Sequence, residues 1–589
     1  MPRDDPHPSP AFLQVERSLS GRRWEGPDAG ARRMAERHAQ AGDLLPAVAA
    51  VLARLGVAPE DAPAFLAPKL RDLLPDPLRL KDMGRAAGRL SDAVERGERI
   101  AIFADYDVDG GASAAQLIWW LRALGRVPTL YVPDRIREGY GPNAPAMARL
   151  AADHDLILCV DCGTAAHDAL AAAAGTDVLV IDHHLGGDTL PPALAVVNPN
   201  RQDEDGALGH LCAAAVTFLL IVECARQRRE AGRAAPTAAP LLDLVGLATV
   251  ADVAPLRGVN RAFVRAGLDL MRKGARPGLA ALGEAARLSA PAEAQHLGFV
   301  FGPRINAGGR IGRADLGARL LATDDPSEAA ALAARLEEVN AERRAMEAAI
   351  RAAALEQAER RGMDGPLVWA AAEGWHPGVL GIVAGHLARR ANRPAVVLGL
   401  ADGVAKGSGR SVAGIDLGRP VQRAHAEGLL LSGGGHEMAA GLSVAAEGLD
   451  AAMERLGDLL ARQGAGRGGP PALRLDGVLM PGAVIPALCA ALEAAGPFGQ
   501  DAPAPRFAIP DAAILDARVV GSGHLKLSVG ERGAGGGRLD AIAFGAADGP
   551  LAALLRHDGR RFHLAGSVEL NHWQGRASAQ LRLSDAAPA

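Results

Sequence analysis

From Arg99 onward, short runs of apolar residues alternate with longer Ala-rich stretches. RIAIFA (99–104), VPTLYV (127–132), LILCV (156–160) and DVLVI (177–181) have strand length and almost no polar interruption. Strands take that form when both faces are covered, as in a parallel sheet flanked by helices. Between them, ASAAQLIWWLRALG, NAPAMARLAADH and TAAHDALAAAAG are long enough for crossover helices. This β-α-β alternation predicts a doubly wound parallel sheet within residues 81–325. Ligands of such sheets sit at the carboxyl ends of the strands.

The pattern changes on either side. Residues 1–80 read as short helices broken by Pro, a helical N-terminal lead-in. The segment FGPRINAGGRIGRADLG (301–317) reads as loop because of its glycines. Residues 326–361 lack Pro and Gly after the first position and carry Glu and Arg at three- and four-residue offsets, which predicts one long connecting helix. A second, smaller α/β unit follows over 362–465, then a linker by composition, RQGAGRGGPPA (462–472). HLKLSV, LDAIAFG, FHLAGSVEL and AQLRLS alternate with turn residues and predict a β-barrel over 470–589, with GAGGGR (533–538) as a Gly-rich turn.

Composition narrows the class. In 589 residues, 49% are hydrophobic and 22% charged, which excludes disorder as the main state. The N-terminus has no apolar signal region, and no stretch reaches the roughly 18 apolar residues of a spanning helix, so a cytoplasmic protein without membrane partners is expected. Five cysteines are too few for a disulfide scaffold. The Cys159–Cys162 spacing matches a redox pair, but Asp161 between them, at the end of an apolar run, points to another use of the loop. Net charge is −4, so polyanion binding must come from local patches, and only five of the 64 basic residues are Lys.

The predicted strand ends carry acids with unusual regularity. RIAIFA runs into Asp105, Asp107 and Asp109; LILCV into Asp161; DVLVI into Asp182, His183 and His184; a further apolar run ends at Asp252. So many carboxylates on one edge raise each other's pKa, and divalent cations remove the conflict. Carboxylates with one or two His suit Mn²⁺ or Mg²⁺ better than zinc. Shared carboxylates suggest two ions about 4 Å apart, the arrangement that activates water against a phosphoester. An EF-hand Ca²⁺ loop does not fit, because Gln116 stands where its twelfth-position Glu belongs.

ADYDVDG, VDCG, IDHH and ATVADVAPL resemble the four motifs of the DHH phosphoesterase superfamily. GPRINAGGRIG, WHPGVLGIVA, KGSGRSVAGIDL and SGGGHEMAAG extend the likeness to members with an associated DHHA1 domain that degrade single-stranded DNA, and GPFGQDAPAPRF carries it weakly into the barrel. The resemblance implies two α/β domains, the DHH parallel sheet and a smaller DHHA1 domain, joined by the long helix and followed by an OB-like single-strand-binding barrel. It implies that Asp107, Asp109 and Asp161 hold one metal, and that Asp109 and Asp161 are shared with a second held by His183 and Asp252. Where many small-molecule members have His, this chain has Phe103, and Asp105 stands in. The resemblance further implies a catalytic set of Asp105, Asp182 and His184, with His184 contacting the scissile phosphate or orienting the nucleophilic water.

The glycines Gly433, Gly434 and Gly435 let a sugar-phosphate backbone approach main-chain N–H groups, with His436 as a further donor, unless they form a tight turn. Lys406, Ser408 and Arg410 make a donor-rich strand, and Arg304, Asn306 and Arg310 a third donor cluster. Trp375 and His376 flank that path or belong to a core. No phosphate-binding loop for nucleotide hydrolysis occurs. The resemblance implies a metal-dependent single-stranded-DNA exonuclease acting 5′ to 3′ in DNA repair and recombination, with a single-strand-binding protein and a helicase as protein partners. The alternatives are a DHH phosphoesterase for small substrates (oligonucleotides, cyclic dinucleotides or pyrophosphate) and a non-catalytic replication or repair scaffold.

Overall fold

Three strand ends in step would be needed to line up Asp105, Asp161 and Asp182, and the parallel sheet provides them. In this computed structural model, which describes residues 10–42, 44–135, 137–288, 290–466, 471–531, 537–573 and 576–589, the sheet runs Thr129–Tyr131, Ile100–Ala104, Leu156–Val160, Asp177–Ile181, Ala195–Val197. All neighbours are parallel, and Ala104 pairs with Val160, Val160 with Ile181, and Ile181 with Val197. The next residue of each strand therefore falls on one edge: Asp105, Asp161, Asp182 and Asn198. The first three extend the ladder by one bond each, Asp105 N–H donating to Val160 at 3.3 Å, Asp161 to Ile181 at 2.9 Å and Asp182 to Val197 at 3.1 Å.

The chain falls into two compact units. One holds this sheet and comprises Ala67–Arg344 with Pro497–Pro503. Apart from the edge strand Thr129–Tyr131, which is exposed or half-buried, its strands are buried along almost their whole length, as their unbroken apolar runs require. Helix Val108–Ala123 is buried nearly all round, so it reads as apolar on every face. The predicted crossover helices form at Val108–Ala123, Ala144–Asp153 and His167–Ala171, the last only five residues long. The run before Asp252 is a helix, Leu242–Ala251, and Asp252 is its C-cap.

One expectation is corrected. The segment expected to be loop contains helix Gly302–Ile311, started by Pro at its first turn. Its glycines serve close approach, not a turn: a Cβ on Gly309 would lie 2.4 Å from the Tyr106 ring.

The second unit gathers residues up to Leu66, Ala345–Gly496 and Ala504–Ala589. Helix Pro326–Arg361 forms as expected and runs across the boundary at residue 344. The unit's mixed sheet has the order Ser432–His436, Ala439–Ala445, Val404–Arg410, Ala395–Ala401, Val368–Glu373, with only the last pair parallel. Gly433–Gly435 thus lie on an edge strand, not in a tight turn.

The barrel strands are Phe507–Val520, His524–Gly530, Arg538–Ala543, Arg576–Pro588 and Arg561–Trp573, and the last pairs back onto the first to close the barrel. The helical N-terminal residues pack against this barrel. Trp24–Glu25 runs parallel to Leu473–Arg474, the buried Trp24 indole donates to Asp585 at 3.0 Å, and Arg54 pairs with Asp476. Of the expected linker and Gly-rich turn, residues 467–470 and 533–536 lie outside the described residues. All five cysteines are buried and unpaired.

Candidate metal centre

The aligned strand ends are completed by two neighbouring elements. Asp107 N-caps helix Val108–Ala123, its carboxylate accepting from the N–H groups of Asp109 and Gly110. Gly110 is required here, because a Cβ would lie 2.4 Å from the Asp105 carbonyl oxygen. Asp109 faces the start of helix Ala213–Glu230 and accepts from Ala213 and Ala214 N–H, both at 2.7 Å. Asp161 has φ +60°, a conformation rare for a side chain other than Gly, Asn or Asp.

The result is one cluster. His183 Nε2 lies 3.3 Å from Asp161, 3.7 Å from Asp109 and 3.8 Å from Asp252. Asp105, Asp107 and Asp161 bring one oxygen each within 4.8 Å of one another, as do the donor atoms of Asp109, His183 and Asp252, and of Asp161, His183 and His184. Every metal-ligating and catalytic candidate therefore meets at one edge, Asp105 included. Phe103 cannot take the place of a ligand: it is fully buried in the strand, its ring 5.3 Å from Tyr131.

Burial without enough positive charge shows in the acidities. Asp105, Asp109 and Asp161 are pushed up, first by burial and then by their neighbours' negative charge. Asp252 is pushed up to about 8 for the same reasons. Asp182 behaves in the opposite way. Although burial opposes ionisation, hydrogen bonds from His184 and Thr164 draw it down to about 2. His184, equally against burial, rises to about 9 because Asp182 accepts from its Nδ1 at 2.8 Å. The cluster thus contains one firmly ionised acid paired with an imidazolium and several acids short of counter-charge.

The donor set fits a divalent cation. Asp105 Oδ1 and Asp161 Oδ1 are buried and accept no hydrogen bond, leaving lone pairs aimed into a carboxylate cluster. Carboxylate oxygens with imidazole are the ligands of Mn²⁺ or Mg²⁺.

Several supports escaped the sequence reading. Asn198 donates to the His184 carbonyl and to Thr164 Oγ1, each at 2.8 Å, and Asn200 donates to the His183 carbonyl at 2.5 Å. The signal was present for Asn198, which follows the fifth strand as the acids follow the others. Tyr140, within reach of His184, had no such signal.

The donor residues are placed differently from one another. Asn306 Oδ1 accepts from Val108 N–H at 2.9 Å and so braces the Asp107–Asp109 turn. The Arg310 guanidinium is held below its ordinary pKa, first by burial and then by the positive charge of Arg135. Arg304, the third member of that donor cluster, has its guanidinium bound to Glu337 of the long helix at 2.5 Å and to the Val300 carbonyl at 2.9 Å.

Lys406, Ser408, Arg410, Gly433, Gly434, Gly435 and His436 belong to the other unit's mixed sheet. Lys406, Ser408 and Arg410 share one face, as alternate residues of a strand do. Gly381 of WHPGVLGIVA makes room for Arg410, whose Nη2 would lie 2.9 Å from a Cβ there. His376 caps helix Pro377–Ala391, accepting from Gly378 N–H at 3.1 Å, and Trp375 packs against that unit's core. On the edge strand Gly434, Gly435 and His436 are exposed and Gly433 is half-buried.

A parallel sheet with this acid-lined edge, a mixed-sheet domain and a closed barrel define the DHH and DHHA1 architecture with an OB domain. Residues 99–249 match the DHH family N-terminal domain, 364–462 the DHHA1 domain and 475–585 the RecJ OB domain. The single-stranded-DNA-specific exonuclease RecJ of Escherichia coli is 36% identical over 87% of this chain and 91% of its own length. That of Bacillus subtilis is 34% identical over 92% and 68%. The crystal structure of RecJ in complex with Mn²⁺ from Thermus thermophilus superposes with a TM-score of 0.78 at 30% identity, covering 96% of this chain and 79% of that one. The chain belongs to the RecJ family of single-stranded-DNA-specific exonucleases.

Proposed function

We propose that this protein hydrolyses single-stranded DNA from its 5′ end in DNA repair and recombination, using two divalent cations held at the aligned strand ends. The observation that carries the reading is Asp161, buried to 2% exposure with an unbonded oxygen that belongs to donor groups on both sides of the cluster. Asp105, Asp107 and Asp161 would hold one ion and Asp109, His183 and Asp252 the other, with Asp161 between them. Bound there, Mn²⁺ or Mg²⁺ would lower the pKa of a water and neutralise phosphoryl charge.

The remaining residues orient and donate. Asp182 accepts from His184 Nδ1 and so orients the ring, leaving Nε2 as the nitrogen that would donate to a phosphoryl oxygen. Asp109 is fixed by two main-chain N–H groups, and the turn before it is braced by Asn306. Lys406, Ser408 and Arg410 supply phosphate donors, and the barrel supplies affinity for nucleotides farther along the strand. The test is a product time course on 5′- and 3′-labelled single strands and duplexes, with and without Mn²⁺. Mononucleotides released from the 5′ end of single strands only, and only with metal, are expected; release from the 3′ end or from blunt duplexes at equal rates contradicts the reading.

A further inference from the structure

His184 is held from two sides. Asp182 accepts from Nδ1 at 2.8 Å, and Nε2 lies 3.0 Å from the hydroxyl of Tyr140. The same hydroxyl donates to the main-chain carbonyl of Asp161 at 3.4 Å. The two rings meet edge to face, with centroids 5.8 Å apart and planes at 70°. The Asp161 carbonyl can only accept, so the phenol O–H donates to it and the phenol oxygen is left to accept from His184 Nε2–H. Asp182, His184, Tyr140 and Asp161 thus form one continuous hydrogen-bonded chain beside the carboxylate cluster.

Packing does not account for this tyrosine. The residue is 55% exposed, yet its polar end is turned inward. Gly139 at φ +88° and Gly141 at φ +71° flank it, a backbone that delivers the side chain from a sharp loop and that other residues adopt only with strain. The phenol oxygen also occupies the acceptor position that a phosphoryl oxygen would take at Nε2.

We propose that Tyr140 is a positioning residue for phosphodiester hydrolysis, its hydroxyl fixing the His184 ring so that Nε2–H is aimed before the substrate arrives. The proposal rests on the reading that His184 acts on the phosphate. Tyr140→Phe keeps the ring and removes the hydroxyl. It is expected to lower kcat about tenfold, as for the loss of one hydrogen bond, with KM for a single-stranded oligonucleotide, Mn²⁺ affinity and melting temperature unchanged. Tyr140→Ala is expected to lower kcat no further. A Tyr140→Phe enzyme with wild-type kcat overturns the proposal, and so does an effect seen only as a raised KM in Tyr140→Ala, which would mark base stacking instead.

A second readout needs no catalysis. The chain has three tyrosines, so ¹³Cζ-tyrosine labelling of the metal-free protein gives three signals, and the one missing in Tyr140→Phe belongs to Tyr140. That signal is expected to move in His184→Ala, and an unmoved signal overturns the proposal. If it moves while His184→Ala keeps full activity, the contact stands, but the role given to His184 fails and the positioning role fails with it.

Discussion

In the parallel sheet, Asp105, Asp109, Asp161 and Asp182 stand at or just past the strand ends, buried to a few per cent, with Asp109 and Asp182 held by main-chain donors; in the mixed sheet, Lys406, Ser408 and Arg410 stand on the strand itself, every second residue, with solvent access. The first arrangement concentrates like charge where water cannot screen it, and it is coherent only with a cation. The second keeps each donor hydrated until a polyanion displaces that water. Removing a member of the buried cluster should therefore abolish chemistry, whereas removing an exposed donor should weaken grip by degrees.

The strongest way to break this contrast is His183→Ala. It removes the imidazole that lies within 4 Å of three carboxylates, and hydrolysis is expected to fall at least about 10³-fold, or ~4 kcal/mol. Binding of a fluorescent single strand in EDTA should stay within about threefold of wild type, because phosphate donors elsewhere supply it. Comparable losses in both assays would mean that the cluster and the donors are not separable.

Arg410→Ala comes next, with an expected loss of about tenfold on 5′-phosphorylated single strands and less on 5′-hydroxyl ones. A guanidinium fork favours the extra charge of a terminal phosphate. Arg410→Lys should recover part of the loss by keeping the charge without the fork. Equal losses on both substrates would assign Arg410 to the general backbone or to the fold.

A pH series sharpens the acidic side. Asp252 and His184 have folded values of about 8 and about 9, above their ordinary 3.8 and 6.5. The folded chain therefore keeps protons that the unfolded chain releases, and this stability is present at low pH and lost as pH rises through the folded values. Asp182, drawn down to about 2, contributes a constant amount above its unfolded value. In EDTA the melting temperature should fall between pH 6 and 9 more steeply than in Asp252→Asn, and the rise given by Mg²⁺ should grow over the same range. Parallel slopes for the two proteins would remove Asp252 from the uncompensated set.

The smallest effect is expected from Lys406→Ala. Single-strand binding should weaken two- to threefold at moderate salt, and the salt slope should fall by roughly 0.7, the share of one phosphate contact. A sequence-dependent loss would contradict a backbone role.

Much of the acidic edge was legible because strands buried on both faces read as unbroken apolar runs, so the first polar residue marks the sheet edge. That rule located Asp105, Asp161 and Asp182, and applied once more it would have reached Asn198. Helix Gly302–Ile311 was not legible, because glycines that admit the Tyr106 ring look the same in sequence as glycines in a loop. Nor was the partner of Arg304, since Glu337 lies 33 residues away on another helix. Asn200 and Tyr140 escaped because they act through main-chain carbonyls and a ring nitrogen that spacing does not reveal.

The central claim, two cations sharing Asp161, is tested most directly by counting Mn²⁺. Isothermal titration and electron paramagnetic resonance on the protein should show two ions per chain with spin coupling between them, and in Asp161→Ala the coupled signal and hydrolysis should both be lost. One uncoupled ion in the wild type, or a coupled pair that survives in Asp161→Ala, would contradict it.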